Sequence, residues 1–201
     1  GSLGPNDNLG DGAGGAGITG ANLTLTMGAA GTVSGGLAGD GVTRADAITF
    51  TGGNNSLTFT NATTGLTGNI GNNGTLLTFN QPTAVTVDNM ITGTGGVTLT
   101  GSTPLGDNFT RLNGANTYAG LTTVNGYLIA GNDSALGSTA SGTVVNSGGT
   151  LGINGGVNVG AEALTISGAG FDAGFGGPSG AVYFGTFGGG NSSYGGAITL
   201  S

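Results

Sequence analysis

At 201 residues the chain is long enough for a single domain with its own core, and 36% of its residues are hydrophobic, yet 49 are glycine and only 5% are charged. Nine acids face two arginines, Arg44 and Arg111, for a net charge of −7, and there is no lysine, histidine or cysteine. Phosphate backbones and anionic membrane surfaces need clustered cations, zinc sites and disulfides need ligands absent here, and Ser-His-Asp or Cys-His catalysis needs a histidine, so these classes are excluded.

The first twenty residues are rich in Gly, Asn and Asp and read as an arm or cap. From residue 21 to 201 short alternating runs take over: 22–26, 47–51, 56–60, 75–79, 84–87, 97–100, 143–145, 150–153, 164–166 and 198–200. Each interleaves apolar residues with Thr or a small residue, as in a strand with one buried face. Gly-Gly, Asn-Gly and Asn-Asn pairs between them reach positive φ cheaply and turn the chain. No stretch has a helical period, no apolar run approaches the roughly 20 residues that span a bilayer, and a mean hydropathy of +0.19 without charge blocks argues against disorder. The expectation is an all-β fold that is not inserted in a membrane.

Leu57, Leu77 and Val97 recur every twenty residues, and Val124, Val145 and Ile166 every twenty-one. Such a period is that of a solenoid in which each coil covers the apolar face of the last. Coils of about 20 residues predict nine or ten rungs, a rod near 45 Å at roughly 4.8 Å per rung, with Asn ladders where turns match. A β-sandwich or barrel of eight to ten antiparallel strands is the alternative, but such folds seldom carry so much glycine or so little charge. In the solenoid Leu57, Phe59, Leu77, Phe79, Val97 and Leu99 point inward and Thr58, Thr78 and Thr98 outward, and Phe50 joins Phe59 and Phe79 in the core.

The run 112–128, LNGANTYAGLTTVNGYL, resembles the autotransporter-associated β-strand repeat of bacterial passenger domains, with 131–137 and 147–151 similar to its continuation and a weaker echo at 190–200. The likeness is clearest over 110–201 and only stylistic before that. It implies a right-handed parallel β-helix at a bacterial cell surface or secreted from it, and a motif that names no active residue. No membrane β-barrel follows within these residues, so the autotransporter secretion route is not supported by them.

Little chemistry is left to assign. Glycoside hydrolysis needs two carboxyls at about 5 to 9.5 Å; Asp40 and Asp46 are the nearest pair, with Arg44 between them, and a solvated loop with a local ion pair is the simpler account. The segment 6–12, with Asp7 and Asp11, offers hard oxygens for calcium but lacks the spaced third acid and closing glutamate of an EF-hand. Asp107 and Asp133 beside Gly or Asn, and Asp172 in a Gly-rich stretch, read as isolated turn formers, and Phe171, Phe175, Phe184 and Phe187 form a loose Gly-rich group read as a loop packed on the rod or a contact surface. Thr-x-Thr pairs at 24/26, 49/51, 58/60 and 98/100 evoke an ice-binding array, yet do not recur in every expected rung. No catalytic, cofactor or metal residue is therefore expected.

The expectation is a non-enzymatic extracellular stalk or self-associating fibre subunit. The alternatives are an adhesin segment binding a glycan, host or ice surface and, less favoured, a polysaccharide-degrading β-helix. The strand 196–201 has no charge, proline or cap, so further coils of the same chain or end-to-end copies of itself are the expected partners.

Overall fold

The computed structural model describes residues 14–101, 108–170, 180–185 and 188–201. They form a parallel β-helix, and all the strand pairings between its named strands are parallel. Its spine is an eight-stranded sheet of Thr24–Met27, Asn54–Phe59, Leu76–Asn80, Gly96–Thr100, Thr122–Val124, Thr143–Val145, Leu164–Ile166 and Ile198–Leu200, stacked in chain order. After each of the first two spine strands the chain forms one strand of the separate parallel pair Val33–Ser34 and Leu66–Thr67, and after each of the next five it crosses a second face as the sheet of Val85–Val87, Thr110–Leu112, Tyr127–Ala130, Thr150–Ile153 and Val182–Phe184. It returns over a third face, carried by Ile18–Ala21, Ile48–Gly52, Ile70–Asn72 and Ile91–Thr92 and later by the pair Asn158–Val159 and Ser193–Tyr194. The first of these strands pairs with Ile48–Gly52, so the ladder is under way by Ile18, within the stretch read as an arm.

Register corrects the coil length. Val124, Val145 and Ile166 do align at twenty-one residues, and Leu77 pairs with Val97 at twenty. Leu57, however, lies opposite Phe79, and Leu77 opposite Asn55, so this coil has twenty-two residues. Two residues is one strand period, so the slip leaves every side chain on its expected face. Longer steps join Leu25 to Leu57 and Leu164 to Ile198. The first holds an inserted hairpin closed by the antiparallel bridge Leu37–Arg44. Among the described residues eight rungs result, where nine or ten were expected, about 34 Å from the first spine strand to the last.

The core is a set of apolar columns. Leu57, Phe59, Leu77, Phe79 and Val97 are fully buried and Leu99 nearly so, while Thr58, Thr78 and Thr98 alternate onto the outer face. Phe59 and Phe79 stack at 6.5 Å between centroids, and Phe50 fills the same core from the third face. Each such side chain contributes roughly 1.5–3 kcal/mol by leaving water. Corners are tight enough to demand glycine: at Gly120 a Cβ would overlap the backbone of Gly95 and Gly96 on the coil before. Phe184, the described member of the loose aromatic group, is 46% exposed on its strand; Phe171, Phe175 and Phe187 lie outside the described residues.

Candidate functional site

The acids singled out in the sequence build no shared centre. Asp40 closes its own hairpin, its carboxylate accepting from the Val42 and Thr43 N–H groups and the Thr43 hydroxyl. The Thr43 hydroxyl, then these two N–H groups, hold its carboxyl below the usual range. Asp46 accepts from the Thr49 hydroxyl at 3.1 Å. Arg44 pairs with neither; its guanidinium donates to the Gly35 carbonyl, because the hairpin folds it back onto a backbone acceptor, and this replaces the expected ion pair. Asp133 accepts from the Asn158 N–H at 2.7 Å. Asp7, Asp11, Asp107 and Asp172 lie outside the described residues, and among those described no three His, Cys, Asp or Glu groups are placed to hold a metal. No helix of the described chain is long and apolar enough to cross a membrane.

On the outer face of the spine, register aligns Thr24, Ser56, Thr78, Thr98, Thr123, Val144, Thr165 and Thr199 in one rank. Hydroxyls therefore recur along the spine more regularly than the Thr-x-Thr spacing suggests, since Ser56 stands in for Thr and the coils differ in length. The next rank is knitted sideways: Thr100 donates to Asn80, Asn146 donates to Asn125 at 2.7 Å, and Ser167 bonds Ser201. The Asn125–Asn146 contact is an amide ladder of the kind matched turns predict.

The chemistry of this chain is concentrated inside the helix instead. Buried amides act as surrogate peptide groups where the ladder is interrupted. Gln81, 1% exposed, accepts from the Phe59 N–H at 2.9 Å and donates to the Leu57 carbonyl at 3.0 Å, extending the pairing beyond the last strand residue. Asn116, 2% exposed, accepts from Ile91 N–H at 2.8 Å and donates to the Ala135 carbonyl at 2.7 Å, tying together three successive coils. Asn55, Asn72 and Asn89 bond backbone groups of adjacent coils in the same way. Two residues on from Asn116, Tyr118 is fully buried and its hydroxyl bonds Thr122 at 2.7 Å; Thr122 in turn donates to the Leu136 carbonyl at 3.0 Å. The Asn-Thr-Tyr portion of the repeat-like motif is thus interior scaffolding, with Asn and Tyr buried and Thr117 between them exposed.

This polar file continues upward. Thr143 stacks on Thr122 in register and donates to the carboxyl of Glu162, itself 2% exposed. Burial pushes Glu162 up to about 7, opposed by the Thr143 bond. Burial likewise drives the Tyr118 and Tyr194 phenols above their ordinary value, the first opposed by its bond to Thr122 and both reinforced by Glu162. Glu162 went unremarked in the sequence, although it shares the alternation of Leu164 and Ile166 and so belongs to the inward phase.

No family model matches the chain, and no curated protein or solved structure matches it.

Proposed function

We propose that this chain is a non-enzymatic structural module, a β-solenoid stalk or fibre segment at a bacterial surface. One observation carries the reading: polar side chains of the interior are bonded chiefly to the neighbouring coil, as Gln81, Asn116 and Thr122 are, so the residues with chemistry to offer hold one rung to the next. The likeness of residues 112–128 to a passenger-domain repeat supports an extracellular setting, and the near absence of cations suits neither nucleic acid nor a membrane.

The strand Ile198–Leu200 exposes Ile198 by 50% and Leu200 by 79%. Leu200 stands in register with Ile166, so a further coil, from the same chain or a second copy, would extend the ladder by parallel pairing. Electron microscopy of the purified chain tests the proposal. Rods or end-to-end filaments are the expected result; compact particles that also degrade a panel of polysaccharides would overturn it.

A further inference from the structure

Among the described residues Glu162 is the one buried acid, and the described groups packed around it come from the coils below and above. The coil below supplies the Thr143 hydroxyl, its hydrogen-bond donor. Tyr118, one coil lower, spends its hydroxyl on Thr122. The coil above supplies Tyr194, whose hydroxyl is buried without a partner among the described residues, and Gly196, where a Cβ would overlap the Glu162 carbonyl. None of these is a cation. The two arginines are engaged elsewhere, Arg44 at the Gly35 carbonyl and Arg111 over the Phe109 ring at 5.5 Å. Asp133, the acid bonded to the strand that precedes Glu162, adds no positive charge.

An ionised carboxyl enclosed between two coils with a single hydrogen bond and no counter-charge is costly, and it is relieved either by holding a proton or by letting water in. Water reaches Glu162 most directly if the coil above it lifts, because among the described residues that coil is held by pairing on one side only: Ser193–Tyr194 on Asn158–Val159 and Ile198–Leu200 on Leu164–Ile166.

We propose that the coil bearing Ser193–Tyr194 and Ile198–Leu200 is seated by a proton, packing tightly on neutral Glu162 and loosening when that carboxyl ionises. The direction follows from linkage. An unfolded glutamate titrates near 4.5 and the buried one near 7, so the stabilisation is complete below about 4.5, declines as pH rises through about 7 and is gone above it. Since this coil presents the strand to which another would add, acidification favours a firm docking surface and alkaline conditions a loose one.

Hydrogen exchange of the intact chain between pH 6 and 8.5, corrected for intrinsic rates, is the test. The reporting amides are Gly195, bonded to the Val159 carbonyl, Leu164, bonded to Ala197, and Ser201, bonded to Ile166; Val97 and Asn125, bonded to Leu121 and Leu99, serve as internal references. Protection of the reporters should fall at least about tenfold relative to the references as pH rises. Glu162→Gln should abolish the fall. Thr143→Val, which removes the donor that favours the charged form, should move the midpoint to higher pH. A wild-type chain whose reporters track the references, or the same fall in Glu162→Gln, overturns the proposal. Should Glu162→Gln loosen the coil at every pH, Thr143→Val decides: an unshifted midpoint overturns it and an upward shift supports it.

Discussion

Replacing Asn116 by alanine isolates what a single surrogate peptide group is worth. The side chain is 2% exposed and makes two bonds, from Ile91 N–H at 2.8 Å and to the Ala135 carbonyl at 2.7 Å. Neither backbone group has another hydrogen bond among the described residues. Alanine leaves one donor and one acceptor enclosed, each costing about 1–3 kcal/mol, for a loss of roughly 2–6 kcal/mol. For a domain of 150–250 residues each kcal/mol moves the melting midpoint by about 2–4 °C, so a drop of roughly 4–24 °C is expected. Asn125→Ala is the control, because Asn125 is exposed and its side chain meets the Asn146 amide on the outer face; its effect should stay within about 0.5 kcal/mol. Thermal unfolding followed by circular dichroism measures both. If Asn116→Ala melts within about 2 °C of wild type, or no lower than the control, the amide is not replacing a peptide group and the reasoning fails.

Phe79→Ala removes one partner of the aromatic stack and should cost about 3–5 kcal/mol in urea unfolding, whereas Thr98→Val on the outer rank, whose hydroxyl bonds no group among the described residues, should be neutral to about 0.5 kcal/mol. Gly196→Ala drives a methyl into the Glu162 carbonyl, and exchange protection at Gly195 and Leu164 should drop while that at Val97 is kept. Chelator should leave the melting midpoint unchanged, since the described acids bond their own neighbours; a fall of many degrees would direct attention to Asp7 and Asp11.

The parts of this fold that were legible in the sequence are those that depend on alternation. Leu57, Phe59, Leu77 and Phe79 are inward whatever their neighbour, because a strand's two faces are set by the parity of position. Alignment between coils is not set that way. The pairing of Leu57 with Phe79 rather than Leu77 is decided by how many residues the corners absorb, and an extra pair of residues leaves the pattern of faces intact. Insertions with their own geometry, such as the Leu37–Arg44 hairpin, change the rung count for the same reason.

The buried amides were harder to see. Asn in a run rich in Gly and small residues has the composition of a turn, and whether its side chain turns out to water or in to a peptide group depends on a coil about 25 positions away, as between Asn116 and Ile91. Glu162 carried a readable signal, an acid in phase with Leu164 and Ile166, but a lone glutamate between alanines is easily taken for surface.

Among the described residues each spine strand pairs only with the spine strand before it and the one after it, which has a mechanical consequence. Pulled along its axis from the Ile198–Leu200 end, such a molecule has no shear-loaded clamp to fail all at once; the parallel pairs open in sequence, like a zipper, and tension is released one coil at a time. A twenty-one-residue coil, such as that from Thr122 to Thr143, frees about 70 Å of chain at full extension. A ladder about 34 Å long, with eight rungs among the described residues, therefore stores many times its own length, and a solenoid of this design yields gradually under load rather than snapping.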